Sequence, residues 1–150
     1  MSDDYLRLFP TDRTWLPTPE QADRAVAALR ALTPDAHEIE AEVYGRVTFI
    51  DQGTNLERIG CPVCHADLDP DWWAEQMSRA DENVFVALDV VAPCCGATTT
   101  LDDLVYEWPA GFASVELSVL NPERGWLSAD ELDIVAAALG HPVRQVMAHY

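Results

Sequence analysis

The strongest constraint on the fold is an internal echo at a spacing of 110 residues. Thr18-Pro19-Glu20-Gln21 and Ser128-Ala129-Asp130-Glu131 both read as helix starts, with a hydroxyl at the N-cap and a Gln or Glu three residues on that can satisfy each other's backbone N–H groups. Behind them Ala22, Ala25, Val26 and Leu29 recur as Leu132, Val135, Ala136 and Leu139, each set on one helical face. Coincident registers imply two helices that offer the same stripe to the same kind of surface. Trp15-Leu16 and Trp126-Leu127 extend the echo with a gap of one residue.

Strand patterns flank each helix. Tyr5 to Phe9 alternates with Leu6 and Leu8 on one face, and Thr33-Pro34 ends the first helical run. Glu38 to Val43 alternates acids with Ile39 and Ala41, and continues through Val47 and Phe49 to Ile50. In the second half Val115 to Leu120 is a strand, Gly140 stops the helix in a left-handed cap, and Pro142 to Tyr150 supplies a last strand. A βαβ unit used twice, over residues 5–50 and 111–150, predicts an α+β fold of ferredoxin-like type: four antiparallel strands with both helices on one face. The other face is expected to lie uncovered, with Glu38, Glu40 and Glu42 against Tyr5, Arg7 and Phe9.

At 150 residues the chain suits one domain, with residues 51–110 inserted between the two halves. The insertion holds all four cysteines. Cys61-Pro62-Val63-Cys64 is a zinc-knuckle sequence, with His65 where glycine usually follows. The second pair is shifted: in Ala92-Pro93-Cys94-Cys95-Gly96, Cys95 holds the second-ligand position, Ala92 the first, and Cys94 stands beside it. Four thiolates suit tetrahedral zinc in a closed, structural site; iron is a variant of the same reading. Three states fit the spacing: Cys61, Cys64, Cys94 and Cys95 on one zinc; His65 or another ligand in place of Cys94, leaving a free thiol beside the metal; or no metal, with redox-active or buried thiols or a vicinal disulfide. Around the thiols, Asp69-Pro70-Asp71 starts a helix to about Ala80, and strands over Val84–Val91 and Thr98–Leu104 flank the second turn, as in a modified zinc ribbon. Trp72, Trp73, Tyr106, Trp108 and Phe112 are expected to pack the insertion, and His37, His141 and His149 to stand apart from it.

Twenty-six acids against nine bases, every base an arginine, give a formal charge of -17. Such a surface repels phosphate backbones and anionic lipid, which excludes direct nucleic-acid and membrane-surface binding and leaves a basic protein as the natural partner. No apolar run is long enough to cross a bilayer, and Met1-Ser2-Asp3-Asp4 has neither positive charge nor an apolar stretch, so a cytoplasmic location is expected.

On Leu8-Phe9-Pro10, Trp15-Leu16-Pro17, the two cysteine motifs, Tyr106-Glu107-Trp108-Pro109-Ala110-Gly111-Phe112 and Ala148-His149-Tyr150, nearly the whole chain resembles a family of small bacterial proteins with no established activity. Some relatives carry a sugar-transporter ATPase label, which a chain without a Walker lysine, or any lysine, does not support. The C-x-x-C and C-C pairing alone is similar to the zinc bundle of a small RNA polymerase subunit family.

The leading expectation is a non-enzymatic, zinc-stabilised interaction protein. From Cys64 to Pro109 ten acids face one base, Arg79, so the insertion would present a negative surface to a basic partner, as an inhibitor or immunity protein does to a cationic toxin. The competing expectation is a metal- or thiol-dependent enzyme, or a redox sensor, that uses Cys94.

Overall fold

The computed structural model describes residues 2–150. The fold is α+β. Its main sheet joins β1 (Asp4–Pro10), β2 (Glu38–Ile50), β7 (Gly111–Leu120) and β8 (Val143–His149) in the order β2-β7-β1-β8, every neighbouring pair antiparallel. Between β2 and β7 the inserted segment forms β3 (Arg58–Gly60), α2 (Pro70–Glu82), β4 (Asp89–Val91), β5 (Thr98–Thr100) and β6 (Val105–Glu107).

The echoed helices are α1 (Pro19–Leu32) and α3 (Ala129–Leu139), and both begin as their sequences require. Thr18 Oγ1 accepts from Gln21 N at 3.2 Å while Gln21 Oε1 accepts from Thr18 N at 2.7 Å. Ser128 and Glu131 repeat the exchange at 3.2 and 2.9 Å. Ala25, Leu29, Val135 and Leu139 are all buried, packed with Leu6, Leu8, Leu117 and Val119, so the two helices cover one face of the sheet. Gly140 closes α3 at φ 87°, a left-handed backbone that favours glycine, and an added Cβ would also sit 2.8 Å from the Gln21 side-chain amide of α1.

The tryptophan echo does not survive folding. Trp15 packs into the helix-side core, but its spatial counterpart there is Leu127, while Leu16 and Trp126 are exposed at 51% and 38%. The two turns leave the sheet differently, so identical dipeptides point to different places.

Glu131 does more than cap α3. It also takes a bidentate pair from Arg124 at 2.6 and 2.7 Å, which with the Ser128 N–H holds its carboxyl down at about 2. A carboxyl depressed in the folded state adds stability above its ordinary value near 4.5 and loses it as pH falls toward 2. Glu131→Gln keeps a capping acceptor and loses the charge. We expect its thermal midpoint to lie below wild type at neutral pH and to converge with it below about pH 2; a constant gap across that range would show that the charge is immaterial.

The second face of the sheet stays open along β2, where Glu38, Glu40 and Glu42 are exposed as expected, but not across β1 and β8. After Ile50 the chain crosses it: Asp51 O accepts from Arg7 Nη1 at 2.8 Å, and Gly53 pairs with His149 at the far edge of β8. Thr54 N and His149 N exchange bonds with His149 O and Gln52 O at 2.8 and 3.3 Å. Gly53 has φ 61°, and any Cβ there would run into the His149 carbonyl. Under this strap Phe9, expected on the exposed surface, is 1% exposed and packs with Ile50, Ala113 and Val146.

The insertion has a core of its own, in which Ile59, Leu68, Phe85, Leu88, Leu101 and Tyr106 pack with Phe112 of β7. The strand expected from Val84 shrinks to Asp89–Val91. α2 instead runs on to Glu82, and Val84 and Phe85 turn back through φ 50° and 55°, with Phe85 N donating to Ala80 O at 2.8 Å. Left-handed backbone at a β-branched residue is strained by about 1–3 kcal/mol. What offsets it is the Phe85 ring, delivered against Phe112 at a centroid distance of 5.4 Å. Asp102-Asp103 lies in a turn, and Asp102 pairs with Arg144 of β8 at 3.3 Å.

Candidate metal centre

Two turns of the same construction carry the cysteines. In the first, Cys61 N donates to Ala66 O at 2.9 Å and His65 N to Cys61 O at 3.0 Å; in the second, Ala92 N donates to Ala97 O at 2.9 Å and Gly96 N to Ala92 O at 2.8 Å. The fifth residue of each is left-handed, His65 at φ 64° and Gly96 at 73°. The turns therefore superpose residue for residue, with Ala92 in the place of Cys61 and Cys94 in that of Val63. Cys61 and Ala92 are both fully buried in the insertion core. The first turn follows β3, which pairs with β6 through Ile59 and Tyr106; the second joins β4 to β5.

The two strand pairs share one core, in which Ile59, Val90, Ala92 and Leu101 pack together, and this brings the turns face to face. Cys61 Sγ lies 3.9 Å from Cys95 Sγ, Cys64 Sγ lies 3.2 Å from Cys94 Sγ, and all four sulfurs are within 4.8 Å of one another. A tetrahedral ion with metal–sulfur bonds of about 2.3 Å separates its sulfurs by about 3.8 Å, inside that spread. Four cysteines so placed could hold a metal ion, and no disulfide joins them. Cys94 thus belongs to the cluster although its turn position is not the usual one. Adjacent side chains diverge, but the sulfur of Cys94 turns toward Cys64 and that of Cys95 toward Cys61. His65 is not in the cluster: its exposed side chain lies outside the four-sulfur group.

Backbone N–H groups of Cys64 and Val63 converge on the Cys61 sulfur, the latter at 3.4 Å, and draw its thiol down to about 6. The hydrogen bond between the Cys64 and Cys94 sulfurs, together with partial desolvation, pushes the Cys94 thiol up to about 12. A cation at the centre would favour the thiolate at each position.

The aromatic residues of the insertion pack as expected. Trp73 Nε1 donates to Tyr106 Oη at 3.1 Å, Tyr106 Oη donates to Leu101 O at 2.6 Å, and Phe49 of β2 stacks among them. Trp108 departs from this, stacking at 5.6 Å on Trp126 of the second half. His37, His141 and His149 stand far from the thiols, against Glu123, Trp15 and Asp4 respectively.

One cluster of charged residues escaped the sequence reading. Glu116, in mid-β7, is 1% exposed; its Oε1 accepts from Tyr44 Oη and its Oε2 lies 3.0 Å from Arg7 Nε, off the angle of a hydrogen bond. Arg7 Nη1 also donates to Asp51 Oδ1 at 2.7 Å, and Tyr150 Oη donates to Asp51 Oδ2 at 2.5 Å. Burial pushes the Glu116 carboxyl up against the opposing pull of Arg7 and Tyr44, while Asp51 is held down by the Tyr150 hydroxyl and Arg7 despite its own burial. The signal was present: a single acid in Gly111–Leu120, where every other residue is apolar or serine.

No helix is long and apolar enough to cross a membrane among the described residues. The chain matches no protein-family model, no curated protein and no solved structure.

Proposed function

We propose that this is a non-enzymatic, zinc-stabilised module whose acidic surface binds a basic protein. The observation that carries the reading is the four-sulfur cluster with separations of 3.2 and 3.9 Å between facing pairs. Four soft thiolates complete a tetrahedral zinc site and leave no position for water or substrate, so the metal's role is to hold two turns together. The fold we assign is the ferredoxin-like sandwich carrying a zinc-ribbon-like insertion, supported by the β2-β7-β1-β8 order and by two knuckle turns flanked by short strand pairs. The excess of acids, concentrated in the insertion, supports a cationic partner.

The test is metal content by native mass spectrometry combined with a thiol count before and after chelation. One zinc per chain, with all four thiols unreactive until the metal is removed, is the expected result. A thiol that alkylates rapidly while zinc stays bound would instead mark Cys94 as a free nucleophile and favour a thiol-dependent enzyme.

A further inference from the structure

The face crossed by the strap keeps an open groove on the β2 side. Strand register sets its rows: Glu38 lies opposite Leu120, which lies opposite Tyr5; Glu40 lies opposite Ser118, which lies opposite Arg7. Two adjoining cavities of about 50 and 380 Å³ both have Tyr5, Glu40 and Ser118 in their walls, so they form one groove with these residues at its middle. Asp3, Glu42 and Tyr150 close the wider end.

Three features of the groove point to a cationic side chain. Arg7 is already neutralised by Asp51 and Glu116, at 2.7 and 3.0 Å, whereas Glu38 and Glu40 form no ion pair with any described residue. These carboxylates recur every second residue along β2, about 7 Å apart, so they repel one another with no cation between them. Tyr150 already has the Arg7 guanidinium over its ring at 6.0 Å, and Tyr5, which meets Tyr150 edge to face at 5.9 Å, offers a second ring surface beside the acids, as a cation–π contact requires.

The third feature is Ser118. It is 9% exposed, its hydroxyl makes no hydrogen bond to another described residue, and it forms part of the wall of both cavities. Acids on an edge strand have a simpler use, since they stop two copies of a sheet from pairing. That use explains Glu38, Glu40 and Glu42. It does not account for Ser118 on the inner strand β7, whose hydroxyl has no protein partner and faces the floor of the groove between them.

We propose that this groove seats an arginine side chain of the partner protein, its guanidinium donating to Ser118 Oγ and the Glu40 carboxylate and lying against the Tyr5 ring. Arginine is favoured over lysine because its planar fork can reach a hydroxyl and a carboxylate at once and stack on an aromatic face. The proposal rests on the reading of a basic partner and moves the point of contact from the insertion to the sheet.

The probe is a blocked Thr-Arg-Thr-Arg-Thr peptide titrated into the full, metal-loaded chain at low salt, beside peptides with lysine or with neutral citrulline in place of arginine. The arginine peptide should bind, the lysine peptide more weakly, and the citrulline peptide not measurably. Ser118→Ala and Glu40→Gln should each weaken binding about tenfold, with unchanged thermal midpoints confirming the fold. Glu82→Gln and Asp103→Asn, in the insertion, should leave affinity unchanged. If those two carry the loss while Ser118→Ala and Glu40→Gln do not, the groove is wrong and the basic partner survives. Equal affinity for lysine overturns the arginine assignment, and absence of arginine-peptide binding overturns both readings.

Discussion

Cys61→Ser should strip the bound metal and lower the thermal midpoint by more than about 10 °C, the largest effect we expect of any single substitution in this chain. Binding of structural zinc is worth about 10–16 kcal/mol, as much as the entire stability of a typical domain. Cys61 is also the one thiol fully buried in the insertion core, beside Ile59 and Leu88, and it faces Cys95 at 3.9 Å. A serine there leaves a hydroxyl in an apolar wall as well as an incomplete ligand set. Because the insertion has its own core, the loss should be confined at first: hydrogen exchange should accelerate in both knuckle turns and in β4–β5, while α1 and α3 stay protected. Chelation of the wild-type chain should reproduce that pattern. Cys94→Ser is the discriminating comparison, since it matches Cys61→Ser in metal loss only if Cys94 is a ligand. Full metal content and an unchanged midpoint in Cys61→Ser would sink the structural-site reading.

Glu116→Ala should destabilise the chain by about 1–3 kcal/mol, the cost of leaving buried donors short of an acceptor. Arg7, 17% exposed along its side chain, would keep Asp51 but lose the carboxylate at 3.0 Å, and Tyr44 would lose the acceptor of its hydroxyl. Removing both charges at once, in Arg7→Met with Glu116→Leu, should recover most of that loss, because well-packed apolar side chains often replace a buried pair at little net change. Tyr44→Phe alone should lose only about 1–2 kcal/mol. Denaturant unfolding of the four variants checks the set. A double variant as unstable as Glu116→Ala would mean that the shape of these side chains, rather than their pairing, is what the strap requires.

How legible the chain was depends on how far each interaction reaches. Thr18 with Gln21 and Ser128 with Glu131 are separated by three residues, and each pair formed where the sequence said it would. Even the irregular second turn was readable, down to Ala92 in the place of Cys61. The tryptophan echo misled because the destination of a side chain in a turn is set by the elements on either side, and Leu127 rather than Leu16 reached the core. The Val84–Val91 strand misled because β-propensity yielded to the packing of Phe85 on Phe112.

By itself, then, the sequence determined the helices with their caps, the face each buries, and the two turns that carry thiols, all from hydrogen bonds and periodicities spanning less than two helical turns. Only the tertiary structure decided that Cys94 turns toward Cys64, that the strap from Asp51 to Asn55 buries Arg7 with Glu116, and that Ser118 lies between Glu40 and Arg7 with no protein partner for its hydroxyl. Each of these joins residues at least 30 positions apart, where the order of the strands, not the local chain, determines what meets.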